Sequence, residues 1–168
     1  MMIRKLFLAI AAVATLCGFQ ACGGDDDDIK VDDLYKQALQ TTLPTLQNVH
    51  WEKKGAYKVA EGREGQYDVD VWFDNDARWV MTEYDYVRDT AKLPAAILQG
   101  IQAGEFAGWQ IDDIELYRRP DLNFFVIEVE SPGRNDVYLY YTESGYFIQS
   151  TSVDTDITPD TKLMLRDY

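Results

Sequence analysis

The stretch Val71-Trp72-Phe73-Asp74-Asn75-Asp76-Ala77-Arg78-Trp79 sets two aromatic-rich runs around a polar turn, and Leu139-Tyr140-Tyr141-Thr142-Glu143-Ser144-Gly145-Tyr146-Phe147 has the same layout. Strand-forming residues on either side of Asp, Asn, Ser and Gly are the mark of an antiparallel hairpin. Working outward from the first hairpin, Val49 to Ala60 and Gln66 to Phe73 read as strands and Ala77 to Val87 as the returning one. Glu61-Gly62-Arg63-Glu64-Gly65 between them reads as a turn. Before these runs Val31, Leu34, Tyr35, Ala38, Leu39 and Leu43 recur at helical spacing, and Pro44 ends the pattern. Outward from the second hairpin lie a short helix, Pro94 to Ala103, with Pro94 in its first turn, and strands at Trp109 to Arg118, Phe124 to Glu130, Val137 to Thr142 and Tyr146 to Val153. Leu43-Pro44 corresponds to Leu93-Pro94, Trp51 to Trp109 and one hairpin to the other, at separations of 50, 58 and 68 residues. The sequence therefore predicts an α+β fold of two tandem helix-plus-antiparallel-sheet modules, residues 31–89 and 90–168. The helices are expected on one face of the sheet, with the other face open. Neither half buries much core alone, so the two should share one sheet or pack closely.

The N-terminal segment has a different character. Arg4 and Lys5 precede an apolar run from Leu6 to Leu16, too short for a membrane span, and Phe19-Gln20-Ala21-Cys22 closes it. A small residue followed by cysteine resembles a bacterial lipobox, which makes residues 1–21 a lipoprotein signal peptide and Cys22 the lipidation site. Residues 22–30, with Asp25 to Asp28 in a row, then read as an acidic tether. An acidic run directly behind the acylated cysteine resembles the surface-export signal of Bacteroidetes lipoproteins. The expected location is the outer membrane, anchored by lipid and facing the cell surface, with a periplasm-facing orientation as the alternative. Cys17 leaves with the leader and Cys22 carries lipid, so no disulfide braces the mature chain.

The chain has 16 basic and 29 acidic residues among 168, a net charge of −13, and loss of the leader's two basic residues makes it −15. Such a balance excludes nucleic acid as a partner, because phosphate needs a basic face. A content of 46% hydrophobic residues excludes a disordered acidic tail. The order helix, tryptophan-led strand, strand and aromatic–turn–aromatic hairpin, ending in Tyr140-Tyr141-Thr142-Glu143-Ser144-Gly145-Tyr146-Phe147-Ile148, resembles the PepSY-like or beta-lactamase-inhibitor-like proteins secreted by Bacteroidetes. The likeness runs from Val31 to Val153, and Ala77 stands where the first hairpin would have the turn glycine. In the related beta-lactamase inhibitor protein two such modules form a concave aromatic face that clamps an enzyme. The resemblance implies that architecture and a bias towards protein binding, while no inhibitory residue carries over.

Residues with chemistry to offer are few. His50 is the only histidine, and no nucleophile elbow or phosphate-binding glycine loop is present. Asp68 and Asp70 share one strand face about 7 Å apart, but an acidic protein presents such pairs on any half-exposed strand. Asp74-Asn75-Asp76 begins like a calcium loop, yet Arg78 and Trp79 occupy positions that need a ligand and a glycine. Asp154, Asp156, Thr158 and Asp160 lack the glycine and closing glutamate and read as a solvated C-terminal loop. No catalytic residue, metal site or cofactor is expected.

The aromatic residues carry the functional expectation. If Val69, Val71 and Phe73 face the helix, Trp72 projects with Asp68 and Asp70 on the open side. Tyr138 and Tyr140 form a matching pair in the second half, and Trp79 lies on the neighbouring strand. Rings edged by carboxylates suit a protein-binding surface. Asp68, Asp70, Trp72, Trp79, Tyr138 and Tyr140 are accordingly the expected partner-binding residues of a non-enzymatic protein that binds and inhibits another, unidentified protein of the periplasm or cell surface. A glycan- or ligand-binding module is the alternative. Protease added to intact cells is expected to cut the domain, and protection until lysis would exclude surface display.

Overall fold

The computed structural model describes residues 28–152 and 154–164, so the leader, Cys22 and Asp25 to Asp27 lie outside the described residues. The elements are α1 (Asp33–Thr42), β1 (Gln47–Lys54), β2 (Tyr57–Glu64), β3 (Tyr67–Phe73), β4 (Trp79–Asp85), α2 (Ala95–Ala103), β5 (Gln110–Arg118), β6 (Asn123–Glu130), β7 (Val137–Thr142) and β8 (Phe147–Thr151). The class is α+β. All eight strands pair antiparallel in chain order, giving one open sheet whose edges are β1 and β8. The expected strand from Val49 to Ala60 is in fact two, because the chain reverses at Gly55-Ala56. Gly55 takes φ 62° and Lys54 pairs with Tyr57 across this two-residue turn. The expected turn at Glu61 to Gly65 correspondingly shrinks to Gly65-Gln66, and β2 runs on to Glu64.

Alternation along the strands sorts the side chains into two apolar clusters. Val69, Val71, Phe73, Tyr84, Ile114, Leu116, Phe125, Ile127, Leu139 and Tyr141 belong to one, together with Val31, Tyr35 and Leu39 from in and before α1 and Leu93, Ile97 and Ile101 from in and before α2. Tyr35 meets the Trp51 ring at 6.1 Å and the Phe73 ring at 6.4 Å, both edge-on, and its hydroxyl donates to the Asp74 carbonyl at 3.1 Å. The second cluster, on the opposite strand parity, contains Val59, Trp72, Met81, Tyr117, Phe124, Val126, Tyr140 and Ile148. Ile157 completes it and Leu163 packs against it, so the segment after β8 covers part of the face expected to be open. Asp154, Asp156 and Asp160 are exposed in a segment without helix or strand, as expected of a solvated loop, while Ile157, 5% exposed, supplies the apolar contact that holds the segment down.

The two hairpins share their backbone hydrogen bonds. Asp74 N–H donates to the Arg78 carbonyl and Ala77 N–H to that of Asp74, while Thr142 N–H donates to the Tyr146 carbonyl and Gly145 N–H to that of Thr142. Each turn is braced by its first side chain: Asp74 Oδ1 accepts from Arg78 N–H, and Thr142 Oγ1 accepts from Tyr146 N–H. Beyond each turn one strand bulges. Phe73 pairs with Trp79 and Trp72 with Met81, skipping Val80; Tyr141 pairs with Phe147 and Tyr140 with Gln149, skipping Ile148. The left-handed position is Gly145 (φ 89°) in one hairpin and Ala77 (φ 58°) in the other. A β-carbon on Gly145 would lie 2.5 Å from the β-carbon of Ala96 on α2.

Gly145→Ala therefore combines a left-handed backbone with a collision and should cost about 2 kcal/mol or more. Gly65→Ala has a comparable φ of 67° but open space around it, and should cost about 1 kcal/mol. Denaturant unfolding of the two variants checks the order, and equal losses would contradict the packing.

Candidate functional site

Three adjacent strands bring acidic side chains into register on the face opposite the helices. Asp70 of β3 pairs with Glu83 of β4, which pairs with Tyr117 of β5, and one row further Asp85 pairs with Glu115. The segment at Asp154 to Asp160 passes over this patch, enclosing a cavity of about 640 Å³. Its wall includes Lys54, Tyr57, Asp70, Trp72, Glu83, Glu115 and Tyr117 from the sheet and Asp154, Asp156, Ile157 and Asp160 from the segment.

Lys54 is the only cation of this wall among the described residues. Its ammonium lies 2.7 Å from Glu52 and from Glu61, 2.9 Å from Asp70, and 5.4 Å from the centre of the Trp72 ring. Glu61 also meets His50 Nε2 at 2.8 Å. No ion pair reaches Glu83, Glu115, Asp154 or Asp156 among the described residues. Burial pushes the Glu83 carboxyl up to about 8, and the neighbouring charges of Glu115 and Asp70 add to the effect. Glu115 is pushed up to about 7, again by burial, although the Tyr117 hydroxyl donates to it at 2.9 Å. Burial also raises Asp70 against the pull of Lys54, and raises Tyr117 far above its ordinary range. The shifts share one cause, that charge is costly at this depth, and Glu83 and Glu115 have no cation in contact among the described residues to offset it. Trp72 is 4% exposed and its indole Nε1–H has no acceptor among the described residues. An unpaired buried donor of that kind costs about 1–3 kcal/mol.

The expected site residues divide between the two faces. Asp68, Asp70, Trp72, Tyr138 and Tyr140 lie on the cavity's face, as strand alternation requires. Trp72 and Tyr140 are buried there, at 4% and 3% exposure, and not displayed on an open surface. Tyr140 stacks near Phe124, and Trp72 meets Tyr57 edge-on at 5.9 Å. Asp68 is exposed and bound through both oxygens by Arg63, at 2.7 and 3.2 Å. Tyr138 is half-buried and donates to Glu128, and burial with that carboxylate lifts its hydroxyl to about 12. Trp79 is on the other face, packed against the helix-side cluster with its Nε1–H donating to Thr82 Oγ1 at 2.8 Å. The bulge at Val80 breaks the alternation, which puts Trp79 and Met81 on opposite sides of the sheet. Asp74, considered above as the start of a calcium loop, spends Oδ1 on the amides of Asp76 and Arg78. Sequence reasoning missed Lys54, Glu83, Glu115 and Tyr117. Their signal was a polar position within an apolar strand, which is also what an exposed strand face presents.

An open meander with two short helices before its two groups of four strands defines a protein of the beta-lactamase-inhibitor-like, PepSY-like class. The chain belongs to that family, whose model, described as "Putative beta-lactamase-inhibitor-like, PepSY-like", matches residues 48–149. A BLIP-like protein from Bacteroides fragilis is similar at 28% identity and TM-score 0.69, over 77% of this chain and 93% of its own. A protein from Bacteroides eggerthii described as periplasmic is similar at 26% identity and TM-score 0.65, over 73% and 89%. A DUF2874 family protein from Bacteroides uniformis shares the fold at 24% identity and TM-score 0.66, over 73% and 89%. Among curated proteins nothing matches. No helix among the described residues is long and apolar enough to cross a membrane.

The raised carboxyl of Glu83 gives a signed pH dependence. Below about 4.5 both folded and unfolded chains hold this proton, and the associated stability is fully present. As pH climbs towards about 8 the unfolded chain alone gives it up, so stability falls across that window. Glu83→Gln should raise the melting temperature by several degrees at pH 8, with the gain vanishing near pH 4.5. A gain independent of pH would contradict the assignment.

Proposed function

We propose that the protein is a lipid-anchored, non-catalytic envelope protein that binds and restrains another protein through the sheet face opposite the helices. In this reading residues 1–21 are removed, Cys22 carries lipid, and residues 22–30 set the domain off the outer membrane at the cell surface. Residues 31–89 and 90–168 are then two copies of one module. A constant separation of 68 residues supports the duplication: it relates the two backbone hydrogen bonds, the brace from the first side chain and the bulge of one hairpin to their counterparts in the other.

The observation that carries protein binding is the composition of one sheet face. Trp72, Tyr57, Tyr117, Tyr138 and Tyr140 gather there around carboxyls that outnumber the available cations, and only a short C-terminal segment lies over them. Of these rings the half-buried Tyr57 and Tyr138 supply contact area at low entropic cost while the buried Trp72, Tyr117 and Tyr140 support them from beneath, and the acid around them selects a basic partner and speeds its approach. Family membership supports the same reading, since the Bacteroides fragilis relative is described as BLIP-like. Asp68 and Tyr138 form the accessible rim, with Asp70, Trp72 and Tyr140 beneath. Trp79 supports the sheet from the helix side. The reading involves no cofactor or metal.

The test is to immobilise the full chain, in non-ionic detergent, against an envelope extract. One protein should be retained at a 1:1 ratio and released as salt rises, and Asp68→Arg should lose it while keeping the wild-type melting temperature. Absence of a stoichiometric protein, or retention of polysaccharide in its place, would overturn the proposal.

A further inference from the structure

Resting on the protein-binding reading, we infer that residues 154–164 are a displaceable strap, an autoinhibitory contact that lies across the partner-binding sheet face and lifts to admit the partner. The first observation is how the segment is held. It contains no helix, adds no strand to the sheet, and has Ile157 as its one buried residue. Ile157 and the half-buried Leu163 pack against the cluster that contains Trp72, Tyr117 and Tyr140. Arg119, just after β5, donates to the Thr161 carbonyl at 2.7 Å, and Met164 N–H donates to the Gln149 side chain at 3.2 Å. The Thr158 and Thr161 amides bond within the segment itself, Thr161 N–H to the Thr158 carbonyl and Thr158 N–H to Thr161 Oγ1, so lifting leaves those bonds intact. A stretch with few apolar anchors and an exposed backbone opens locally, well short of global unfolding.

The second observation is what lies beneath. A cavity of about 640 Å³ separates much of the segment from the sheet, where a settled interior would be close-packed. Across it Asp154, Asp156 and Asp160 face Asp70, Glu83 and Glu115, and the charge of Asp154 bears directly on Glu115. The Lys54 ammonium is shared by Glu52, Glu61 and Asp70, and no ion pair reaches the three aspartates of the segment among the described residues. Like charges on the two sides press the segment away from the sheet, against the hold of Ile157 and Leu163.

The third is what the segment covers. Trp72, Tyr117 and Tyr140, the inner rings of the binding face, are 4%, 3% and 3% exposed. A partner reaches them only in place of the segment. Two occupants of one surface exclude each other, so apparent affinity is reduced by the fraction of chains in which the strap is down.

Protons enter the same balance. Facing the segment are Lys54 from β1, Tyr57 from β2, Asp70 from β3, Glu83 from β4, Asp113, Glu115 and Tyr117 from β5, Arg119 after it, Glu128 from β6, and Tyr138 and Tyr140 from β7. The segment itself carries Asp154, Asp156, Asp160 and Lys162, and β8 has no ionisable side chain. Burial lifts Glu83 to about 8 and Glu115 to about 7. Lifting the segment rehydrates both and moves them towards the ordinary carboxyl value, so the open form releases protons. Closure is fully favoured below about 4.5 and loses ground as pH climbs towards about 8.

The experiment follows amide exchange of residues 154–164 in the full chain, in non-ionic detergent, at pH 6 and pH 8.5, corrected for the intrinsic rate. Protection should fall about tenfold at the higher pH while β3 to β6 keep theirs. Acrylamide should quench Trp72 more strongly there, with the Trp72→Phe chain giving the background of the other tryptophans. Glu83→Gln combined with Glu115→Gln should hold the segment down at pH 8.5. Ile157→Asn should lift it at both pH values, and Leu163→Ser, at a less buried position, separates lifting from misfolding. With the protein retained from an envelope extract as probe, the opening variants should bind about tenfold more tightly than the wild type. Protection of residues 154–164 that is lost only together with that of β3 to β6 overturns the inference. So does a partner held no more tightly by the opening variants, which would make the segment part of the binding surface and leave the protein-binding reading standing. A segment that lifts while no chain, opened or closed, retains a protein would overturn the protein-binding reading and the autoinhibitory role with it.

Discussion

Every strand of this sheet has to satisfy two unlike layers at once, because side chains alternate between faces and both faces are covered. The two α-helices of the described residues suffice for one layer only. Leu39, Ile97 and their neighbours seal the helix side, where nearly every inward position is apolar. The other layer has just the segment after β8, and Ile157 and Leu163 anchor it at scattered points. Between those anchors the sheet holds polar groups at a depth where water is scarce. The cavity, the displaced carboxyl pKa values and the unpaired indole all trace back to that shortage of covering material.

Lys54 shows how the polar layer is kept foldable. Three carboxyls on three different strands converge on it, and their mutual repulsion would otherwise push β1, β2 and β3 apart. Its place is set by the Gly55-Ala56 turn, which brings Lys54 opposite Tyr57 at the end of the first hairpin. Farther along the sheet Arg63 is taken up by Asp68, and Glu83 and Glu115, with no ion-pair partner among the described residues, are instead lifted by burial to about 8 and about 7.

Much of this could be read from residue order. The helices, the class, seven of the eight strands, counting the merged run as one, and the face shared by Asp68, Asp70 and Trp72 follow from period and alternation. What escaped were features that period does not encode. The merged strand at Val49 to Ala60 hid a turn whose only signal was Gly55, flanked by strand-compatible residues. Alternation groups Trp79 with Met81 and leaves their face open, whereas the bulged Val80 puts the two on opposite sides of the sheet. Trp72 was assigned correctly by face and wrongly by exposure, since nothing local announces that a tail over eighty residues later will lie across it. Ala77 was recognised as standing in a glycine's place, and it takes the glycine's conformation.

The segment before α1 also lies against the sheet. Ile29 N–H donates to the Trp51 carbonyl and Asp28 accepts from the Trp51 amide, so the outward-facing backbone of β1 is occupied there. At the opposite edge Met164 N–H donates to the Gln149 side chain on β8. An open meander offers two unsatisfied rims to any other extended chain, and such rims are where strands of different molecules zip together. Here each rim is attended by one end of the folded region. The short flanking segments that complete the fold thus also stand where an extended chain of another molecule would have to pair, by backbone contact at β1 and by a side-chain contact at β8.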